Sequence, residues 1–246
     1  MSIVKMSRNQ EQFKFKHFSV NHSISSMKIG IDAVLLGAWI DPSGLDILDV
    51  GCGCGVISLM VAQRNSCAKI LAIDIHKDSV TEAQSNFVSS QWRDRLKAVE
   101  MDYMCMQNDM KFDLIVSNPP YFSSGIVNPE TPRLIARHES LLSPGSLLKK
   151  GRNILNPNGR IAVIIPTERE NGLLAQSNEL GYVAKRILRV SGREGKPFNR
   201  TLIEFVSNTC LKTGYSIDTQ ELYIRDSNGE YSDAYKDLCK GFYLKF

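Results

Sequence analysis

From Asp46 onward the chain alternates short, β-branched apolar runs with longer segments of helical period. That order confines the fold, because apolar runs bounded by polar residues or Gly/Pro and separated by amphipathic stretches are the sequence form of a parallel sheet covered by helices. Strands are expected over 46–50, 69–73, 96–100, 112–116 and 160–165, and helices over 55–64, 77–89, 145–155 and 168–180. After Gly181 the pattern changes to two β-type runs, 183–190 and 201–206. The loop joining them holds Gly192, Gly195 and Pro197, which reads as an antiparallel pair closing the far edge. The expected fold is therefore α/β, a Rossmann-like, mostly parallel, doubly wound sheet of seven strands with an antiparallel edge hairpin. The tail carries Glu221-Leu222-Tyr223-Ile224-Arg225, a turn at Asn228-Gly229 and a helical segment from Asp233 toward Cys239. It is expected to pack back on the domain, since Tyr223, Tyr231, Tyr235, Phe242, Tyr243 and Phe246 would otherwise be exposed.

With 246 residues, 43% of them hydrophobic, one domain is expected over 1–246. It divides into a basic, cofactor-covering segment (1–44), a core (45–180), and edge strands with the tail (181–246). No run has the length of a signal-peptide core or a bilayer span, which places the expectation in the cytoplasm. The six cysteines read as reduced thiols. Cys52 and Cys54 form a C-x-C pattern, but no second Cys or His pair at ligand spacing accompanies it, so no metal is expected. The formal charge of +4 is unevenly spread. Lys185, Arg186, Arg189, Arg193, Lys196 and Arg200 face the single acid Glu194, and Lys5, Arg8, Lys14, Lys16 and Lys28 face Glu11 alone. Either cluster is a solvated surface or a phosphate-binding one.

The first strand runs into Asp49-Val50-Gly51-Cys52-Gly53-Cys54-Gly55 and then a helix. Glycines at alternate positions let the backbone turn sharply and approach a ligand. The G-x-G-x-G spacing differs from the G-x-G-x-x-G of dinucleotide oxidoreductases. A carboxylate at Asp49 would oppose a pyrophosphate but suit a ligand carrying an ammonium and a sulfonium, which favours S-adenosylmethionine over NAD. Asp74, with Ile75 beside it, sits where an acid accepts hydrogen bonds from ribose hydroxyls; an ordinary helix N-cap is the other reading. Asp102 can accept from an adenine amino group and Tyr103 can cover the ring, unless both are simply loop residues.

The fourth strand passes into Ser117-Asn118-Pro119-Pro120-Tyr121-Phe122. Two prolines fix the backbone and remove two N–H donors, leaving carbonyls and the Asn118 side chain as acceptors. An aromatic amino group is a weak nucleophile because its lone pair is delocalised. Holding both of its N–H bonds with the Asn118 side-chain oxygen and the Pro119 carbonyl would localise that lone pair and aim it at a methyl carbon. Tyr121 would stack on the extruded base, with Phe122 as a second wall. Asn118, at the same edge, also counts among the cofactor-binding candidates. The other reading is a turn that merely ends a strand.

The Gly loop from Asp49, the acids Asp74 and Asp102 and the Asn-Pro-Pro-Tyr corner resemble, in order and spacing, the class I S-adenosylmethionine-dependent amino-methyltransferases. The segment 27–39, MKIGIDAVLLGAW, and the tail from Ile224-Arg225-Asp226 to Gly241-Phe242-Tyr243-Leu244-Lys245-Phe246 narrow the resemblance to bacterial tRNA adenine-N6 methyltransferases. The resemblance implies that Gly30 and Asp32 border the methionine end of the cofactor. It implies as substrate the adenosine just 3′ of the anticodon in a valine tRNA. In that case Arg186, Arg189, Arg193, Lys196 and Arg200 track phosphates of the anticodon stem, with the basic N-terminal segment on the other flank. From the residues alone, Asp32 is a first-turn helix acid. The Cys fillers depart from the usual small or polar residues of the loop and leave its glycines intact.

Other readings keep part of this picture. The same corner suits the side-chain amide of a release-factor glutamine, but 48 residues ahead of Asp49 are too few for the helical substrate domain of those enzymes. Adenine in DNA or ribosomal RNA is an alternative substrate. A binding module without turnover would be expected to carry a degenerate corner, and this corner is intact.

Overall fold

The protein is described by a computed structural model covering residues 12–24, 29–119, 142–210 and 215–246. A hairpin of β1 (Gln12–Lys14) and β2 (Ser19–Asn21) precedes α1 (Ile31–Trp39). The alternating core follows as β3 (Asp46–Val50), α2 (Val56–Arg64), β4 (Lys69–Asp74), α3 (Lys77–Val88), β5 (Leu96–Glu100), β6 (Phe112–Ser117), α4 (Pro144–Ile154), β7 (Leu155–Pro166) and α5 (Glu170–Glu179). It closes with β8 (Tyr182–Ser191), β9 (Arg200–Ser207), β10 (Asp218–Tyr223) and α6 (Asp233–Cys239).

One sheet takes the order β10-β8-β9-β7-β6-β3-β4-β5, and only β9 runs antiparallel to its neighbours. Both faces are covered. Along β7, Ile161, Val163 and Ile165 join one buried cluster with Leu147, Leu148 and Leu173 from α4 and α5; Ala162 and Ile164 join the other, with residues of α1 and α2. Alternate residues of a strand enter opposite cores, so a strand buried on both faces must be apolar throughout. Each such aliphatic side chain contributes roughly 1.5–3 kcal/mol on burial.

Two expectations change. The β8–β9 pair is antiparallel as expected, but it does not close the sheet. An eighth strand, β10, lies outside β8 and parallel to it, from Asp218 opposite Arg186 to Tyr223 opposite Ser191. Only Leu222 of β10 is buried, and an edge strand with one inward side chain carries almost no apolar period. Strand β7 also begins at Leu155, five residues before the expected start, and runs through turn-like residues 156–159 by way of an irregularity opposite Phe112 and Leu114. The tail packs back as expected. Tyr235 and Phe242 are buried, and the Lys16 amide donates to the Phe242 carbonyl at 2.8 Å. Among the described residues no helix is long and apolar enough to cross a membrane.

Candidate active site

The sheet order reverses at β3, which has β4 on one side and β6 on the other. At such a switch point the loops leaving adjacent strands part and open a crevice beyond their carboxyl ends. Both sequence-predicted segments leave the sheet here. Val50 pairs with Ser117, whose hydroxyl donates to the Val50 carbonyl at 2.8 Å, so Gly51 and Asn118 start their loops side by side. Asn118 is half-buried and Pro119 buried; Pro120, Tyr121 and Phe122 lie outside the described residues.

Gly51, Gly53 and Gly55 all adopt left-handed backbone, with φ of 70°, 54° and 79°. Their surroundings differ. Among the described residues, a Cβ on Gly51 or Gly53 would meet nothing within 4 Å, whereas one on Gly55 would lie 2.5 Å from Phe87 Cε1 in α3. The first two glycines therefore leave bare backbone toward open space, and the third permits α2 and α3 to pack. The Gly51 and Cys52 amides both donate to the Ile73 carbonyl, at 2.8 and 3.0 Å.

Asp74 ends β4 as a brace: Oδ2 accepts from the Gly53 amide at 3.0 Å and Oδ1 from the His76 amide at 2.9 Å. The N-cap of α3 is His76, so the helix-cap reading of Asp74 does not hold. Beside it Ile75 is 50% exposed, an apolar face at the crevice. Asp102 is exposed and accepts from the Met104 amide at 2.8 Å, next to Met101, whose amide bonds the Asp74 carbonyl. Tyr103 requires a correction. It is 3% exposed, sits in the core with α4 and donates its hydroxyl to the Leu147 carbonyl at 3.0 Å, so its ring is packed in the core and not laid over the crevice as a loop cover.

Asp49 lies beneath the loop rather than on its lip, at 1% exposure. Oδ2 accepts from the Ser58 hydroxyl at 2.7 Å and the Ser58 amide at 3.2 Å, tying the loop to α2, while Oδ1 is buried with no hydrogen-bond partner. Burial, only partly offset by Ser58, pushes the Asp49 carboxyl up to about 6. A buried acceptor left unmatched costs stability until a donor or a cation arrives. The thiols flanking Gly53 are inert. Burial raises Cys52 well above the usual thiol range and Cys54 to about 12. No cluster of metal-ligating side chains occurs among the described residues.

Residues 25–177 match the methyltransferase small domain family. The chain is 37% identical over 236 residues, 94% of this chain and 97% of the relative, to a tRNA1(Val) (adenine(37)-N6)-methyltransferase of Bacteroides thetaiotaomicron. Proteins of the same name from Parabacteroides distasonis (40% identical, 95% of this chain, 98% of that one) and Vibrio campbellii (36%, 95% of each) match equally broadly. The chain belongs to this methyltransferase family. Among solved structures, a predicted O-methyltransferase from Agrobacterium tumefaciens superposes with a TM-score of 0.61 at 17% identity, over 85% of this chain and 96% of that one. At that identity the likeness shows the shared class I methyltransferase fold.

In this methyltransferase the N-terminal and basic candidates take unforeseen positions. Gly30 caps α1 without a side-chain bond, and a Cβ there would meet none of the described residues within 4 Å. Asp32, in the first turn, is held by Arg200 at 2.8 Å. Arg189 grips the buried Glu170 through Nε and Nη2, at 2.9 and 2.5 Å. The Arg186 guanidinium lies 4.4 Å over the Trp39 ring and 3.9 Å from the buried Glu204. Arg193 donates to the Ser227 carbonyl and Lys196 is exposed. Three of the five basic candidates are thus committed to internal pairs. Their partners stand far off in the chain, so a reading by local charge count could not see them. Ser58 and Phe87, which hold the loop, escaped notice for the same reason.

Proposed function

We propose that this protein methylates the exocyclic N6 of adenosine 37 in tRNA1(Val), using S-adenosylmethionine. The observation that carries the reading is the side-by-side departure of the glycine loop and Asn118 at the switch point, bonded through Ser117 and Val50. The same activity is named for relatives that match along nearly the whole chain.

The residues present fit the cofactor. Bare backbone at Gly51 and Gly53 admits a ligand, the unmatched Asp49 Oδ1 suits its cationic end, Asp74 suits ribose hydroxyls, and Ile75 offers an apolar face to an adenine ring. When bound, S-adenosylmethionine supplies an electrophilic methyl carbon on a sulfonium. Asn118 Oδ1 and the Pro119 carbonyl accept the two N–H bonds of the adenine amino group, turning its lone pair toward that carbon. Once methylated, the amino nitrogen would release one proton to water. Positioning supplies most of the rate. Tyr121 and Phe122 hold the flipped base, and Arg193 and Lys196 meet backbone phosphate.

The test is to incubate the protein with methyl-labelled S-adenosylmethionine and tRNA from a strain lacking its gene, then to digest and identify the labelled nucleoside. N6-methyladenosine mapped beside the anticodon of a valine tRNA is expected. Label absent from tRNA but present in ribosomal RNA, DNA or a release factor would overturn the assignment.

A further inference from the structure

A second cavity, of about 770 Å³, lies between the N-terminal hairpin, the start of α1 and the C-terminal tail. Its described lining includes none of Gly51, Asp74 or Asn118, and it meets the cofactor candidates only at Gly30. Its walls include Phe13, Tyr231, Tyr243 and Phe246, with Lys14 and Lys245, and no Asp or Glu is among the described residues that line it. Aromatic walls with cations and no acid match the face and the phosphate of a nucleotide.

Its place in the fold favours RNA. Gly30 lines it, and Asp32 two residues later pairs with Arg200, which stands opposite Pro166 at the carboxyl end of β7. Asn118 leaves β6 at that same end, where Ser117 stands opposite Val163. Gly30 therefore puts one wall of the cavity near the end of the sheet from which the reacting corner departs. Among the rings, Tyr231 already has the Arg225 guanidinium 4.3 Å from its centroid and Tyr235 stacked 5.4 Å away. Phe13 is different. It is 37% exposed and, among the described residues, touches Phe15 and Tyr243 at tilted and edge-on angles of 55° and 68°, with no parallel stack between them.

We propose that this cavity is a specificity site for the tRNA substrate, taking one unstacked anticodon-loop base other than the target adenosine against Phe13, with Lys14 and Lys245 on the adjoining phosphates. The proposal rests on the tRNA reading above and adds a position at which RNA is read. Single-stranded RNA is recognised through splayed bases on aromatic side chains, and one such stack accounts for a tenfold change in affinity or more.

The experiment pairs protein and RNA changes. Anticodon stem-loops carrying a single abasic nucleotide at each loop position except the target are titrated against wild-type protein, Phe13→Ala, Phe13→Trp and Lys14→Glu/Lys245→Glu. S-adenosylmethionine affinity and melting temperature are followed in parallel. One loop position is expected at which loss of the base weakens wild-type binding roughly tenfold but costs Phe13→Ala nothing further, with binding restored in Phe13→Trp. The lysine reversal should raise KM for tRNA roughly tenfold at unchanged cofactor affinity. Equal abasic losses in wild type and Phe13→Ala at every position would overturn the site while leaving the methyltransferase reading intact. Absence of any tRNA binding or methylation by wild-type protein would remove that reading, and this one with it.

Discussion

The glycine loop and the β8–β9 connection both stand at the carboxyl end of the sheet, and they are finished in opposite ways. In the loop, backbone groups are tied down by Ile73 and Asp74, yet among the described residues Asp49 Oδ1 is left unmatched and nothing stands over Gly51 and Gly53. At the β8–β9 connection the charges are paired, whereas deeper in β9 the buried Glu204 has, among the described residues, only ion-pair contacts, 3.7–3.9 Å from Arg160, Lys185 and Arg186. Arg189 holds Glu170, Arg200 holds Asp32, the Ser191 hydroxyl donates to the Arg193 and Lys196 carbonyls, and Glu194 accepts from the Ser227 amide. Matched polar groups build a platform, whereas an unmatched one beneath bare glycine backbone holds stability in reserve for a ligand. Charge density by itself does not separate the two.

The largest expected effect tests the open side. Asn118→Ala should lower kcat roughly 10²–10³-fold, as loss of one preorganised transition-state hydrogen bond does elsewhere, with S-adenosylmethionine affinity within a few-fold of wild type by calorimetry. Turnover near the wild-type rate would remove Asn118 from its role. Asp49→Asn probes the reserve itself. Because burial raises this carboxyl to about 6, its neutral form is favoured in the folded protein. The stability so gained is complete below the ordinary carboxylate value and is lost as pH rises through 6, a deficit on the order of a few kcal/mol at neutral pH. The Asn variant of the ligand-free protein should therefore melt several degrees higher at pH 7.5, with the difference closing near pH 4, and should bind the cofactor about tenfold more weakly. A lower melting temperature at pH 7.5 with full affinity would mean that Asp49 is already satisfied.

The same contrast decides how much could be read in the sequence. The core strands β3 to β6, the glycine loop and the Asn118 corner were legible because their signals are local: apolar runs buried on both faces, alternating glycines, a proline pair after a strand. Strand β10 was not legible, since only Leu222 turns inward. Tyr103 looked like a ring cover because it follows a strand at the ligand edge, and only the fold shows α4 claiming its hydroxyl. The basic run from Arg186 to Arg200 read as a phosphate track because Glu170, Glu204 and Asp32 are brought to it by tertiary contacts between distant segments.

Within the loop the glycines themselves separate packing from binding. Gly55→Ala combines left-handed strain with a clash on Phe87 and should destabilise by about 2–4 kcal/mol. Gly51→Ala carries the strain alone, about 1–2 kcal/mol, and its new methyl projects into open space, so cofactor affinity should fall more than stability does. Thermal melts with and without S-adenosylmethionine distinguish them. Equal stability losses in the two would mean that Phe87 gives way and that the division between the glycines is false.

The smallest effect tests the closed side. Arg189→Met leaves the buried Glu170 with the Thr201 hydroxyl at 3.0 Å as a remaining donor, and should cost about 1–2 kcal/mol of stability while tRNA affinity stays within about twofold. Arg193→Glu/Lys196→Glu should do the reverse, leaving the melting temperature nearly unchanged while weakening tRNA binding several-fold and lowering the slope of its salt dependence by roughly one or two. Binding titrations at three salt concentrations read both variants on one scale. If Arg189→Met shifted the salt slope as far as the double reversal does, the Glu170 pair would open on RNA binding, and the platform would itself be part of the binding surface.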